Sequence, residues 1–296
     1  MLRQSNLLRV TARQALVLCL AVAGALSAAP AALAAAKDED PRAGRTLTFS
    51  DDFNSLSLFK DGRGVWTPRF RYAGPNELGS RTLPANGEKQ VYVDPDLAGQ
   101  AKAPLGLNPF RIEDGKLIIR AQKTPRGMAR YLWRFRYTSG LLTSLDSFHQ
   151  KYGYFEIRAR LPKGAGLWPA FWLLPVSGAW PPEIDVFEVL GQDPTTVHQT
   201  VHWTQDQEHK SQHAAVQVAD TSDGFHTFGV DWNSRTIRWY VDGHQTAEAP
   251  TPSDLDEPVY LLINLAVGGY WPGKVARGAL PAEMAIDYVR VYSPKN

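Results

Sequence analysis

The stretch 180-WPPEIDVFEVLG-191 decides how the rest is read. Glu183, Asp185 and Glu188 sit within six residues, among apolar Ile184, Val186, Phe187, Val189 and Leu190. Acidic residues form strands poorly and are costly to bury. On a strand, residues i and i+2 share a face. Glu183 and Asp185 therefore point together, and Glu188, at i+5, falls on the opposite face. One extra residue, a β-bulge, restores the phase. A bulge near Val186–Phe187 is expected if the third acid is needed beside the first two.

The surrounding chain carries strand signals throughout. "GYFEIRARL" (153–161) alternates Phe155, Ile157, Ala159 and Leu161 with Tyr154, Glu156, Arg158 and Arg160. "TIRWYVDG" (236–243) alternates Ile237, Trp239 and Val241 and ends in Asp-Gly, a hairpin turn signal. "LTFS", "KQVYV", "KLIIRA", "PAFWLLP", "VHQTVHW", "FHTFGVDW", "VYLLINLAV" and "AIDYVRVY" add further strands, punctuated by 24 glycines and 21 prolines. Long amphipathic helical patterns are missing. The fold class is all-β, an antiparallel sandwich or barrel.

Residues 1–34 read as a secretory signal peptide. Arg3, Arg9 and Arg13 precede an apolar run from Ala15 to Leu26, and Ala32-Leu33-Ala34 fits a cleavage site. The run is short for a membrane span. Its removal takes away Cys19, the one cysteine, and three arginines with no acid. That leaves 29 basic against 30 acidic residues. The basicity belongs to targeting, so no nucleic-acid partner is expected. Export to the periplasm or the exterior is expected, with no membrane attachment and a monomeric state. "AAKDEDPRAGR" (35–45) reads as a loose mature N-terminus, followed by a single domain over 46–296. Roughly 255 residues suffice for one large β domain.

Glycoside hydrolysis uses two carboxyl groups across the scissile bond, about 5–5.5 Å apart when configuration is retained. Four effective strand steps separate two Cα atoms by roughly 13 Å, so long side chains must lean together over a concave sheet. An intervening aspartate adds negative charge, which helps keep one glutamic acid protonated near neutral pH. The bland alternative is a solvated acidic face. Trp168, Phe171, Trp172 and Trp180 before the acids, and His202-Trp203 after them, favour a sugar cleft instead, because pyranose faces stack on indole rings. A catalytic metal is not expected. His198 and His202 are four residues apart on a strand, and His209 and His213 lie in a polar stretch that reads as a loop.

"LWPAFWLLP" (167–175), "EIDVFE" (183–188), "INLAVGGYWPG" (263–273) and "MAIDYVRVY" (284–292), in this order and spacing, resemble glycoside hydrolase family 16. The six-residue E-x-D-x-x-E resembles its laminarinase-like branch. The resemblance implies a β-jelly-roll sandwich of two curved antiparallel sheets, a glycan cleft on the concave face and retention at the anomeric carbon. It implies Glu183 as nucleophile, Asp185 as the assisting acid and Glu188 as acid/base. It implies substrate contacts at Trp168, Trp172, His202, Asn264, Trp271 and Asn86, the last in an N-x-E-x-Q segment. It also implies a structural, non-catalytic calcium bound partly by Asp287. Trp232 and Trp239 are expected to be plain core, and Gly268-Gly269 to serve a turn.

"YTSGLLTS" has Leu141 where typical laminarinases carry arginine. "RTLPANGEKQVYVDPD" (81–96) and "PFRIEDGKLIIRA" (109–121) resemble bacterial members acting on β-1,3-1,4-glucans or acidic exopolysaccharides. Arg69, Arg71 and Arg134 lie in aromatic-rich stretches, where they either meet substituted or anionic glycans or are ordinary surface charge. The expected function is a secreted retaining endo-β-glucanase on β-1,3 or mixed-linkage chains. An exopolysaccharide glycanase, a transglycosylase and a non-catalytic glycan-binding module are the alternatives.

Overall fold

The computed structural model describes residues 40–295, so the segment read as a signal peptide lies outside the described residues. The first strands are β1 (Leu47–Asp51), β2 (Gln90–Tyr92), β3 (Phe110–Glu113), β4 (Lys116–Lys123), β5 (Tyr137–Ser139), β6 (Leu141–Thr143), β7 (Gly153–Arg160) and β8 (Leu167–Pro175). They are followed by β9 (Glu183–Leu190), β10 (Asp193–Gln205), β11 (Glu208–Gln217), β12 (His226–Trp232), β13 (Thr236–Val241), β14 (His244–Pro250), β15 (Val259–Val267) and β16 (Ala282–Tyr292). Helical turns are 3-10 and three residues long. No described helix is long and apolar enough to cross a membrane.

Of the two architectures left open by the sequence, the strands form the sandwich. A ten-stranded sheet runs β14-β13-β12-β7-β16-β4-β5-β2, with β1 added on β16 and β3 on β4. A six-stranded sheet runs β11-β10-β9-β8-β15-β6. All pairs are antiparallel except β2 with β5. The chain crosses between sheets from β7 to β8 and from β15 to β16, as a jelly roll requires. Asp242 (φ 50°) and Gly243 (φ 82°) make the predicted tight turn between β13 and β14.

Alternation along each strand divides the side chains between two faces. Phe171, Leu173, Ile184, Val189, Val201, Leu261 and Ile263 of the smaller sheet meet Phe155, Ile157, Phe228, Trp232 and Trp239 of the larger one in the main core. Phe187 on β9 packs on Phe228 across this interface, ring centroids 4.4 Å apart. The opposite face of the smaller sheet carries Ala170, Trp172, Tyr260 and Leu262. This face is the cleft floor. A third cluster of Leu78, Val91, Val93, Leu97, Leu107 and Leu132 flanks it. Strand β2 separates the two, with Tyr92 facing the cleft cluster and Val91 facing the flank.

Three local readings meet a different structure. The polar stretch around His209 and His213, read as a loop, is strand β11, paired residue by residue with β10 from Thr196–Gln217 to Gln205–Glu208. Its side chains are largely exposed because it is the sheet edge, so no apolar alternation marks it. In the 35–45 segment, Arg45 is bound in place: its guanidinium lies 2.6 Å from Asp231, with a side chain only 2% exposed. Asp287, read as a calcium ligand, instead accepts a hydrogen bond from Arg158, and the Lys116 ammonium lies 3.9 Å away. Two cationic groups already neutralise that carboxylate, so the residues at this position do not fit a calcium ion.

Candidate active site

Strand β9 carries the predicted bulge. On the β10 side, Glu188 lies opposite His198 and Asp185 opposite Thr200, three steps matched to two. On the β8 side, Phe187 lies opposite Phe171 and Asp185 opposite Trp172, two steps matched to one. The extra residue falls at Val186–Phe187, and both side chains are fully buried in the core. Burying two consecutive apolar residues is what the sequence Val-Phe can do and an alternating pair cannot. The bulge thereby returns Glu188 to the face of Glu183 and Asp185.

Each glutamate accepts a hydrogen bond from an indole. Trp180 Nε1 donates to Glu183 Oε2 at 2.8 Å, and Trp168 Nε1 donates to Glu188 Oε1 at 2.9 Å. Burial pushes both glutamic acids well above the usual carboxylate range, and the neighbouring Asp185 charge pushes them further. The indole N–H groups oppose this by favouring the ionised forms. His202 Nε2 lies 3.2 Å from Asp185 Oδ2 and 3.9 Å from Glu183 Oε1. Glu183, Asp185 and His202 are also the described residues whose atoms could gather round a cation, one from each lying within 4.8 Å of the others.

The remaining predicted residues divide between wall and foundation. Trp271 stands 40% exposed, edge-on to Trp168 at 5.3 Å and to His198 at 4.8 Å. Trp172 is 9% exposed and forms floor, edge-on to Phe70. Asn264, expected to touch sugar, is 6% exposed and lies beneath the surface. Its Oδ1 accepts from Trp172 Nε1 at 2.7 Å, and its Nδ2 donates to the Tyr92 hydroxyl at 3.0 Å. It thereby orients the tryptophan. Asn86 holds the cleft edge. Its carbonyl accepts from Tyr270 N–H at 2.8 Å, beside Gly268 (φ 67°) and Gly269 (φ 149°), which supply the turn.

Several contributors were not singled out from sequence. His209 Nε2 meets His202 Nδ1 at 2.9 Å, and His213 Nε2 meets His198 Nδ1 at 3.0 Å, so β11 backs both histidines of β10. Burial lowers His209 and His213, and takes His198 down to about 4, so these imidazoles are neutral near pH 7. Within N-x-E-x-Q, Glu88 accepts from Leu83 N–H (3.0 Å) and Gln90 Nε2 (2.6 Å), while Gln90 Oε1 accepts from Val267 N–H (2.8 Å). That motif ties the cleft-edge loop to the end of β15. Trp239, read as plain core, donates from Nε1 to the Asp185 carbonyl at 2.8 Å.

The jelly roll thus lines up three carboxyl groups among tryptophans on one face of its smaller sheet. The family model for glycosyl hydrolases family 16 matches residues 106–290. The chain is 47% identical over 249 residues to the endo-1,3-1,4-beta-glycanase EglC of Rhizobium meliloti (strain 1021), covering 84% of this chain and 52% of that protein. It is 38% identical to the beta-glucanase of Rhodothermus marinus, covering 77% and 84%. The laminarinase catalytic domain of Thermotoga maritima superposes with a TM-score of 0.68 at 31% identity, covering 85% of this chain and 99% of that one. The chain belongs to glycosyl hydrolases family 16. It spans about half the length of the rhizobial relative.

Proposed function

We propose that this chain is an exported, retaining endo-β-glucanase that cleaves β-1,3 or mixed β-1,3-1,4 linkages. The observation that carries the proposal is the bulge that puts Glu183, Asp185 and Glu188 on one face, with an indole N–H on each glutamate. Three carboxyl groups on one face, Asp185 buried and both glutamates partly buried, do not all ionise, so the set keeps a proton. Each glutamate has one indole N–H to stabilise its charge. We assign the roles by likeness to the family, Glu183 as the nucleophile and Glu188 as the acid. Glu183 attacks the anomeric carbon while Glu188 gives its proton to the leaving oxygen. Glu188, now ionised, takes a proton from water. The hydroxide attacks the anomeric carbon and releases the Glu183 carboxylate. Asp185, with His202 Nε2 3.2 Å away, supplies the charge that keeps the shared proton on the set. Residues 1–34 support export, and one polymer chain along the cleft of a monomer suffices for the reaction.

The name of the rhizobial relative, an endo-1,3-1,4-beta-glycanase, supports the mixed linkage. Reducing-end release from laminarin, mixed-linkage β-glucan and a succinylated exopolysaccharide tests the proposal, with Glu183→Gln alongside. Cleavage of one or more polymers by the parent chain, reduced by roughly 10³-fold or more in the variant, is the expected result. Equal activity of parent and variant overturns it.

A further inference from the structure

The segment 124–136 between β4 and β5 takes no part in the cleft as described, yet it is built as a fixed presentation loop. Thr124 closes its base, its N–H donating to the Arg136 carbonyl at 2.9 Å and its Oγ1 to the Phe135 carbonyl at 2.7 Å. Leu132, with no exposed surface, plugs into the third cluster, with Met128 and Phe135 packed beside it. The next two residues, Trp133 (φ 46°) and Arg134 (φ 61°), are both left-handed, a rare conformation for large side chains. The Arg134 N–H donates to the Ala129 carbonyl at 2.8 Å and fixes that turn. The result is an indole 56% exposed at the surface.

That indole is clamped on one side only. A Cβ on Gly79 would lie 3.2 Å from the ring, so the absent side chain is what lets it seat there. Its Nε1 lies 2.9 Å from the Gln100 amide, oriented to accept. With Gly79 close to the ring and the N–H satisfied, the rest of the indole stays open to solvent. A rigid open indole face offers apolar contact at little entropic cost.

Within the segment itself the charge has one sign. Arg126, Arg130, Arg134 and Arg136 are all exposed, and no acidic residue occurs between Asp114 and Asp146. Among the described residues, none of the four is in an ion pair. Arg130 and Arg136 stack on Tyr131 and Tyr137, 4.6 and 5.9 Å from the ring centroids. Clustered guanidinium groups suit planar carboxylates. The loop lies beyond β2, one strand away from the cleft cluster that contains Tyr92.

We propose that the 124–136 loop is a second glycan-binding surface, outside the cleft, that holds a carboxylate-bearing polysaccharide through the open face of Trp133 and the guanidinium groups of Arg130 and Arg134. Taken as the site of a chain-cutting enzyme, it rests on the function proposed above and narrows the substrate to acidic polymers. Binding itself is measurable without any cleavage.

The test is affinity electrophoresis of the full chain in gels containing mixed-linkage β-glucan, either unmodified or chemically succinylated. Binding is read in a Glu183→Gln background so that the polymer survives, and hydrolysis of an unmodified glucan oligosaccharide is read in the parent background. The succinylated polymer is expected to retard the chain more strongly. Trp133→Ala is expected to weaken that binding about tenfold, and Arg130→Gln/Arg134→Gln to abolish the difference between the polymers. Oligosaccharide hydrolysis is expected to stay at the parent level in both. Unchanged retardation in both variants overturns the proposal, as does loss of oligosaccharide hydrolysis, which would place these residues in the cleft or the fold. Equal retardation by polyglutamate, dependent on the arginines but not on Trp133, also overturns it, since no sugar would then be recognised. If neither glucan is cleaved, the function proposed above fails, while retardation still decides the surface.

Discussion

The indole N–H of Trp239, on β13 in the larger sheet, donates to the Asp185 carbonyl on β9 in the smaller sheet, 2.8 Å away through the core. The bulge breaks the ladder just after Asp185, and a buried carbonyl without a partner is costly. Trp239 supplies the missing donor from the opposite layer and so fixes where the three carboxyl groups stand. Trp239→Phe keeps most of the ring and removes the donor. It is expected to cost about 1–3 kcal/mol in chemical denaturation. In steady-state kinetics it lowers kcat with KM little changed, because the cleft walls are untouched. A stability loss with unaltered kcat would reduce Trp239 to core filling.

The indoles on the two glutamates act on opposite limbs of the pH–rate profile. Each N–H favours the ionised carboxylate, so removing it raises that pKa. Trp180→Phe raises Glu183, which must be ionised to attack, and the acidic limb moves to higher pH. Trp168→Phe raises Glu188, which must be protonated to give its proton, and the alkaline limb moves to higher pH. Profiles of kcat/KM on a soluble glucan check this. If the limbs move the other way round, the two roles are exchanged.

Burial of Glu88 raises it from its ordinary 4.5 to about 7. A carboxyl raised in the folded state contributes stability that is complete below about 4.5 and is lost as pH rises through about 7. Glu183 and Glu188 add slope of the same sign. Melting temperatures between pH 4 and 8 are expected to fall less steeply for Glu88→Gln than for the parent, with the difference confined to that window. Parallel curves would mean that its hydrogen-bond donors keep Glu88 ionised throughout.

The Arg45–Asp231 pair holds the N-terminal segment against the larger sheet, with both side chains largely buried. Arg45→Met leaves Asp231 without this partner and is expected to cost about 3–5 kcal/mol in urea denaturation. Arg45→Met with Asp231→Leu is expected to recover much of the loss. Failure of the double variant to recover would point to the Arg45 bond to the Ser293 carbonyl as the main contribution.

The cations around Asp287 carry a prediction about metal. Chelation with EDTA is expected to leave the melting temperature unchanged, whereas Asp287→Asn lowers it by freeing Arg158. Calcium-dependent melting of the parent would show that an ion displaces that arginine.

The all-β class, the Asp-Gly hairpin and the bulge were legible because each rests on local pattern: alternation, turn chemistry and phase. The bulge in particular follows from the spacing of Glu183, Asp185 and Glu188. Strand β11 was not legible, because an exposed edge strand has no apolar period to read. The hydrogen bonds of Asn264 and the ion pair of Asp287 were not legible either. Tyr92 stands 172 residues from Asn264, and Arg158 stands 129 from Asp287. No local window contains both partners of either pair. The double role of Trp239 was hidden for the same reason, since its partner is a backbone atom 54 residues away.

Strand β11 has a neighbour on one side only, yet it supplies two of the four histidines in the cleft. Edges open locally at far lower free energy than central strands. Amide hydrogens of β11 should therefore exchange with deuterium much faster than those of β8 and β15, which form the floor. A glycan seated in the cleft would slow exchange along β11 before it changed anything in the floor. The cleft thus has one wall whose order is set by occupancy, and that wall reports the ligand.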